Sequence, residues 1–376
     1  MKILILKGES SYEALRLMAD RFALGLVGKA QTEIIDLLTW SSEDLLKRFL
    51  RLDYNLVVSF NATMTQALPL SNGDSSTPLL SLVPVPHICW MLDDLIYHFE
   101  RLKVRNKFRI VLSSSAEHQD FLDTLDSDAR HGLMLPGSDG DLFLSGHKNR
   151  TYDFLVAASW MGTPLKFWEN FEDPLKSIIS HAVERVDLGV SNTAYSALKY
   201  SMLDRGLSCA TSSELITVLI EIDNYLRQKE RIALIDAIAR SGFKLGVVGS
   251  GWDHLKQNPK VVIIPSVSSK ELLHFYQDSR VVVNLNARNG GSERLFDGIS
   301  QGATVLSPWS ELIFDSFSDV QAVKLIKYPL EDHIQEAIEN LSDFRSTEEY
   351  ASSGQNEIRA KHLWHHKAQQ VLNFIN

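Results

Sequence analysis

The 376-residue sequence predicts an α/β fold in two halves, each a parallel sheet with helices on both faces. Three observations support it. Short Val-, Ile- and Leu-rich runs alternate with amphipathic stretches of helical period over about the first 135 residues. A loop-rich stretch follows, Pro136-Gly-Ser-Asp-Gly-Asp141 and Ser145-Gly-His-Lys-Asn-Arg150, and marks the expected domain boundary. A second strand series then resumes, with a long polar-apolar helical stretch, 165–241, inserted near its start.

In the first half, strands are expected at 3–6, 33–37, 56–60, 87–92, 108–112 and 132–135, where branched apolar residues cluster. Helices are expected at 12–26, 42–52 and, briefly, 62–68. The second of these opens with N-cap residues and early acids, Ser41-Ser-Glu-Asp44. Polar 71–77 reads as a loop. In the second half, strands are expected at 153–159, 243–249, 261–264, 281–285, 303–306 and 322–326. A helix is expected at 268–278, and others begin near Glu331 and Glu348. The expected domains are therefore 1–148, 149–345 including the helical segment 165–241, and a C-terminal helical piece, 346–376, near the domain interface. Such βα alternation implies two Rossmann-like halves facing across a cleft, with ligand loops at the carboxyl ends of the strands.

The net charge of −9 argues against nucleic acid as a main partner. With Cys89 and Cys209 the only cysteines, neither a disulfide framework nor a cysteine metal cluster is available. Met1-Lys-Ile-Leu-Ile-Leu-Lys7 is too short for a signal h-region and reads as a first strand. The longest apolar run, 79–92, is broken by Pro84, Pro86 and His87 and is too short to span a bilayer. A cytoplasmic protein without a transmembrane segment is expected.

The stretch from Val281 to Pro308 reads as strand, glycine turn, helix and strand. Asn289-Gly290-Gly291 forms the turn, and Ser292 is the expected N-cap. Leu295, Phe296, Ile299 and Ala303 fall on one side at helical spacing; Glu293, Arg294, Asp297 and Ser300 fall on the other. Arg294 places a cation beside the positive end of the helix dipole. Two readings fit: an anion held there by the amides of the Gly-Gly-Ser turn, or a surface Arg294–Asp297 pair. Glu293 and Asp297 share a face, suited to accepting bonds from a ribose diol or to meeting solvent. A second glycine turn, Gly249-Ser-Gly251-Trp252, closes another strand. Neither turn is a dinucleotide fingerprint or a P-loop, yet two on one sheet edge favour a nucleotide over two ordinary connections.

In the first half, Pro86-His-Ile-Cys-Trp-Met-Leu-Asp-Asp94 places His87, Asp93 and Asp94 around a buried strand. Any of the three suits deprotonation of a hydroxyl nucleophile. The bland alternatives are a core histidine for His87 and a helix N-cap for one aspartate. His362 and His366 stand at i,i+4 with His365 between them. No third ligand follows at a metalloprotease spacing, so no metal is expected.

Gly249-Ser-Gly-Trp252, Phe275-Tyr-Gln-Asp-Ser-Arg-Val-Val-Val-Asn-Leu-Asn286 and Ser292-Glu-Arg-Leu-Phe-Asp-Gly-Ile-Ser-Gln-Gly302 resemble the C-terminal domain of GT-B-fold glycosyltransferases. The likeness is to the "glycosyl transferases group 1", CgeB-like, with its E-R-x-F-[DE]-x4-G core. Asn224-Tyr-Leu-Arg-Gln-Lys-Glu-Arg-Ile-Ala-Leu234 and Leu363-Trp-His-His-Lys-Ala368 fit the same group, and the resemblance covers about residues 220–370. It implies a nucleotide-sugar donor in the second half. Gly290, Gly291, Ser292 and Arg294 would hold the diphosphate, Asp297 would meet the ribose, and the turn with Gly249, Gly251 and Trp252 would face the base. Asn289 stands where many retaining relatives carry a glutamate, which leaves the stereochemical outcome open. The implied activity is sugar transfer from the nucleotide sugar to an acceptor hydroxyl or other nucleophile on a glycan, small molecule, lipid-linked molecule or protein. No cofactor or metal is expected. A catalytically silent GT-B-like subunit and a sugar-nucleotide epimerase are the alternatives.

Overall fold

The computed structural model describes residues 1–9, 13–63, 80, 83–125, 130–139, 150–285, 288 and 292–375, without the side chains of 344–347. The chain divides into two compact units, Met1–Leu135 with Leu363–Asn376, and Pro136–His362.

Unit 1 carries a six-stranded parallel sheet of order β2-β1-β3-β4-β5-β6. Its strands are β1 (Lys2–Lys7), β2 (Gln31–Asp36), β3 (Leu56–Phe60), β4 (His87–Trp90), β5 (Arg109–Ser113) and β6 (Arg130–Leu133). Helices α1 (Ala14–Gly25), α2 (Ser42–Leu50), α3 (Phe99–Leu102) and α4 (His118–Leu125) connect them. Strands β3, β4 and β5 are buried along their whole length, as continuous apolar runs in a doubly covered parallel sheet must be. Phe22 of α1 meets Trp90 of β4 edge-to-face at 5.9 Å between ring centroids. On the opposite face, Leu45 and Phe49 of α2 pack with Leu4, Leu6 and Val57.

Unit 2 carries a second six-stranded parallel sheet, β12-β11-β10-β7-β8-β9. Strands β7 (Tyr152–Ala157), β8 (Leu245–Val248) and β9 (Val261–Ile264) run to one side, and β10 (Ser279–Val283), β11 (Thr304–Pro308) and β12 (Val323–Ile326) to the other. The direction of winding reverses between β7 and β10. That is where an open α/β sheet leaves a crevice at its carboxyl edge. Helices α5 (Leu175–Asp187), α6 (Ala194–Leu203) and the 28-residue α7 (Ser213–Arg240) form the expected helical insertion. Then come α8 (Ser269–Gln277), α9 (Glu293–Ser300), α10 (Glu311–Phe317), α11 (Leu330–Asn340) and α12 (Phe344–Glu357), followed by a π-helical turn (Ile358–His362). The final helix, α13 (Trp364–Ile375), returns to unit 1. It lies so close to α1 that a Cβ on Gly25 would meet the Trp364 carbonyl at 2.5 Å.

Several boundaries differ from expectation. The first unit ends at Leu135, before the loop-rich stretch rather than within it, and of the C-terminal piece only 363–376 packs with unit 1. Helix α2 stops at Leu50 because Leu52 turns left-handed, at φ 49°. Asn61 and Ala62 are also left-handed, so no helix begins at 62; residues 64–68 and the loop 71–77 lie outside the described residues. The polar side of α9 is open to solvent only in its first turn. Asp297 and Ser300 are buried, with the Ser300 carbonyl accepting from Gln355 Nε2 of α12 at 3.0 Å. No described helix is long and apolar enough to cross a membrane.

Candidate functional site

The crevice between β7 and β10 is built from side chains just past their carboxyl ends. Asn284, fully buried, donates its backbone N–H to Leu306 O at 2.8 Å and its Nδ2 to Ser307 Oγ at 3.0 Å. Its Oδ1 accepts from Ser292 Oγ at 2.8 Å. Ser292 therefore occupies the N-cap position of α9 without capping it, since its hydroxyl is turned to Asn284. The α9 N-terminus keeps its amide dipoles for another partner.

Arginines gather at that helix end. Arg231 of α7, 7% exposed, donates from Nη1 to Ser159 O just beyond β7, while its Nε has no hydrogen-bond partner. Burial lowers its pKa to about 10, and the positive charges of Arg227 and Arg294 add to the effect against Glu230. Arg294 is half-buried in the first turn of α9, and among the described residues no ion pair joins it to Asp297. Two mutually repelling guanidiniums thus accompany a helix N-terminus, an arrangement that attracts a multiply charged anion. Asp297 lies one turn further along α9, 7% exposed, and is shielded rather than solvated. The Tyr276 phenol, fully buried nearby, is kept from ionising first by desolvation.

The second glycine turn is explained by packing. A Cβ on Gly249 would strike the Ala158 carbonyl at 2.2 Å, and one on Gly251 would strike Trp160 Cβ at 2.7 Å; both residues have positive φ. Trp252 is buried with its Nε1 donating to Ala158 O at 2.7 Å, so its indole faces the core and not a ligand. Ser250 and Gly251 are the exposed members of the turn. Asn289, Gly290 and Gly291 lie outside the described residues; Glu293 is half-buried at the start of α9.

In unit 1 the three candidate bases separate. His87 begins β4, at the amino end of the strand and away from the ligand edge. Its imidazole is 1% exposed, shares a 2.9 Å hydrogen bond with Ser59 Oγ, and has its pKa pushed down to about 3 by burial and then by Arg109. His87 is a core histidine, and the expectation of a base there is corrected. Asp94 is buried, accepts from Ile96 N at 3.1 Å as an N-cap, and stands 3.6 Å from His118 Nε2. It is the capping aspartate of the pair. Asp93 is exposed at the carboxyl edge, where Asn61 Nδ2 donates to its Oδ2 at 2.8 Å and His98 Nε2 lies 3.6 Å away. Among the histidines near the C-terminus, His362 stacks on Phe317 at 4.9 Å, and His366 Nδ1 accepts from Leu363 N. The described residues contain no cluster of three metal-ligating side chains.

Arg231, Asn284, Ser159 and Arg288 were not singled out from the sequence. Arg231 sits in the 224–234 run, and Asn284 in the 275–286 run, that carried the resemblance. Ser159 and Arg288 have no local signal.

Residues 227–373 match the family described as glycosyl transferase-like. No curated protein matches. Among solved structures, a sucrose-phosphate synthase from Thermosynechococcus elongatus is similar over 99% of this chain and 98% of its own, at 11% identity and a TM-score of 0.56. HepE from Anabaena, in complex with UDP and glucose, is similar over 100% and 99% at 14% identity and a TM-score of 0.53. T4 phage BGT, in complex with UDP and Mn2+, is similar over 100% and 99% at 10% identity and 0.53. Residues 227–373 are a glycosyl transferase-like segment, carried on a chain of the GT-B fold.

Proposed function

We propose that the protein transfers a sugar from a nucleoside-diphosphate sugar, bound by unit 2, to an acceptor hydroxyl. The observation that carries this reading is the mutual repulsion of Arg231 and Arg294 beside the N-terminus of α9, whose N-cap serine turns its hydroxyl to Asn284. Two like charges converging in a half-buried crevice are costly unless an anion joins them, and a diphosphate matches both the charge and the fork geometry of guanidinium. Structural neighbours crystallised with UDP support the same choice. Ser292, Arg294 and Arg231 hold the diphosphate, Asp297 accepts from the ribose diol, and the exposed Ser250-Gly251 backbone faces the base.

As the glycosidic bond breaks, the sugar gains oxocarbenium character and negative charge grows on the departing diphosphate. Preorganised cations and amides stabilise that charge most in the transition state. Asp93 takes the acceptor proton if the transfer inverts; if it retains, the same carboxylate orients the acceptor. The test is a panel of nucleotide sugars screened by thermal shift, followed by nucleoside diphosphate release with and without acceptors. A ligand at about 100 times its Kd stabilises by about 2.7 kcal/mol. No stabilisation by any member and no diphosphate release would overturn the reading, and conversion of the donor alone would make the protein an epimerase.

A further inference from the structure

Beside the anion site lies a second charged cluster that the transfer chemistry leaves unused. Arg288 sits in the segment between β10 and α9, yet its guanidinium is buried against the helical insertion. Its Nε donates to Glu230 Oε2 at 2.8 Å, its Nη2 stands 3.9 Å from Asp187, and its plane lies 4.8 Å over the Tyr328 ring. The Tyr328 hydroxyl donates to the same Glu230 oxygen at 3.3 Å. Burial opposes the charge on Arg288, but Tyr328 and Glu230 outweigh it and its pKa is raised. Arg231, the next residue after Glu230, has its pKa lowered. Neighbouring arginines are thus divided: Arg288 pairs with Glu230, Arg227 lies 3.7 Å from Asp223, and the hydrogen bond of Arg231 among the described residues goes to a carbonyl.

We propose that Arg288, through Glu230 and Tyr328, is a positioning residue for Arg231 in the diphosphate site. The inference rests on the donor-site reading above. Consecutive residues on a helix project about 100° apart, so clamping the Glu230 carboxylate fixes the direction in which Arg231 leaves α7. A clamp made of charge is also costly to build. Buried ion pairs contribute little net stability over apolar replacements, and specificity of arrangement is their better-attested use.

The test is a double-mutant cycle read by calorimetric titration of UDP, GDP and dTDP, with melting temperature measured on the same samples. Arg288→Met should weaken the best-binding diphosphate roughly tenfold, and Arg288→Met with Arg231→Met should bind no worse than Arg231→Met alone. Glu230→Gln, which keeps an acceptor for Arg288 Nε, should retain most of the affinity. Parental affinity in Arg288→Met, or losses that multiply in the double variant, would overturn the proposal. If Arg288→Met does not fold, Tyr328→Phe keeps the ring and removes the hydroxyl; it must weaken binding in the same direction, and parental affinity there overturns the proposal equally. If the parent binds none of the three, or Arg231→Met binds as the parent does, the donor-site reading fails first and this inference falls with it.

Discussion

Replacing Arg231 with methionine should move stability and ligand affinity in opposite directions. In the folded protein its pKa is lowered from the usual arginine range to about 10, and burial is the leading cause. At about 1.4 kcal/mol per pKa unit, folding works against the charged form by on the order of 3 kcal/mol. The sign is set by the depressed folded value. The unfolded chain holds this proton more tightly, so the penalty is full at neutral pH and fades only as pH rises above about 10 toward the ordinary arginine range. Methionine removes the charge and keeps most of the volume, but Ser159 O loses its donor, which costs about 1 kcal/mol. The ligand-free variant should therefore be more stable than the parent by about 1–2 kcal/mol. With a diphosphate present the balance reverses. Losing a charged hydrogen bond costs about 1.5–3 kcal/mol, a rise in Kd of roughly 10- to 150-fold. Denaturant unfolding without ligand and calorimetry with UDP, GDP and dTDP on the same preparation check both halves. A variant that is less stable than the parent and binds as tightly would show Arg231 to be structural, and the argument from stored repulsion would be wrong.

Asp297→Ala should weaken the native nucleoside diphosphate by about 1–3 kcal/mol in calorimetry, and equal affinity would remove Asp297 from the ribose. Asp93→Asn should lower kcat roughly 10²- to 10⁴-fold for an inverting reaction while donor affinity stays parental; unchanged kcat would deny it the role of base. His87→Gln should leave kcat at neutral pH near parental and change the acid limb of stability instead. With a folded pKa of about 3 against 6.5, the parent loses stability as pH falls from 6.5 toward 3, because the unfolded chain takes up the proton first. A variant with the same acid slope as the parent would show that His87 is not the group responsible.

The two-sheet architecture was legible because parallel strands buried on both faces are nearly continuous apolar runs, as at Val281–Val282–Val283 and Leu56–Val57–Val58. Helix ends were less so. Leu52 and Ala62 adopt left-handed backbone, which leucine and alanine avoid, so composition carries no sign of it. The two faces of α9 were legible, but how far the polar one is covered was not. Its polar face is real, but α12, arriving some fifty residues later, covers it, and that distant packing leaves no trace in the local period. The anion site was half-visible. Arg294 stands out against the helix dipole, whereas Arg231 acquires meaning only when α7 brings it to Ser159, 72 residues away in the chain.

The three acidic or basic groups around β4 show how position along a strand decides chemistry. His87 and Trp90 bound a strand of four residues, so His87 lies about 10 Å from the ligand edge at roughly 3.3 Å per residue. Its residue type suits a base, and its place rules it out. Asp93 and Asp94 both lie past the edge, but adjacent residues there need not share surroundings. Asp94 turns inward to the Ile96 amide, and Asp93 remains exposed. What holds Asp93 is Asn61 at the end of the neighbouring β3, whose Oδ1 also accepts from Leu92 N at 2.8 Å. Asn61 reaches these groups from a left-handed backbone, at φ 51°, a conformation that asparagine tolerates better than most residues. Strained backbone persists only where surrounding contacts over-determine it, and here the contacts it secures end on the exposed one of the two carboxylates. The strain and the exposure therefore point to the same residue, on grounds independent of the donor site.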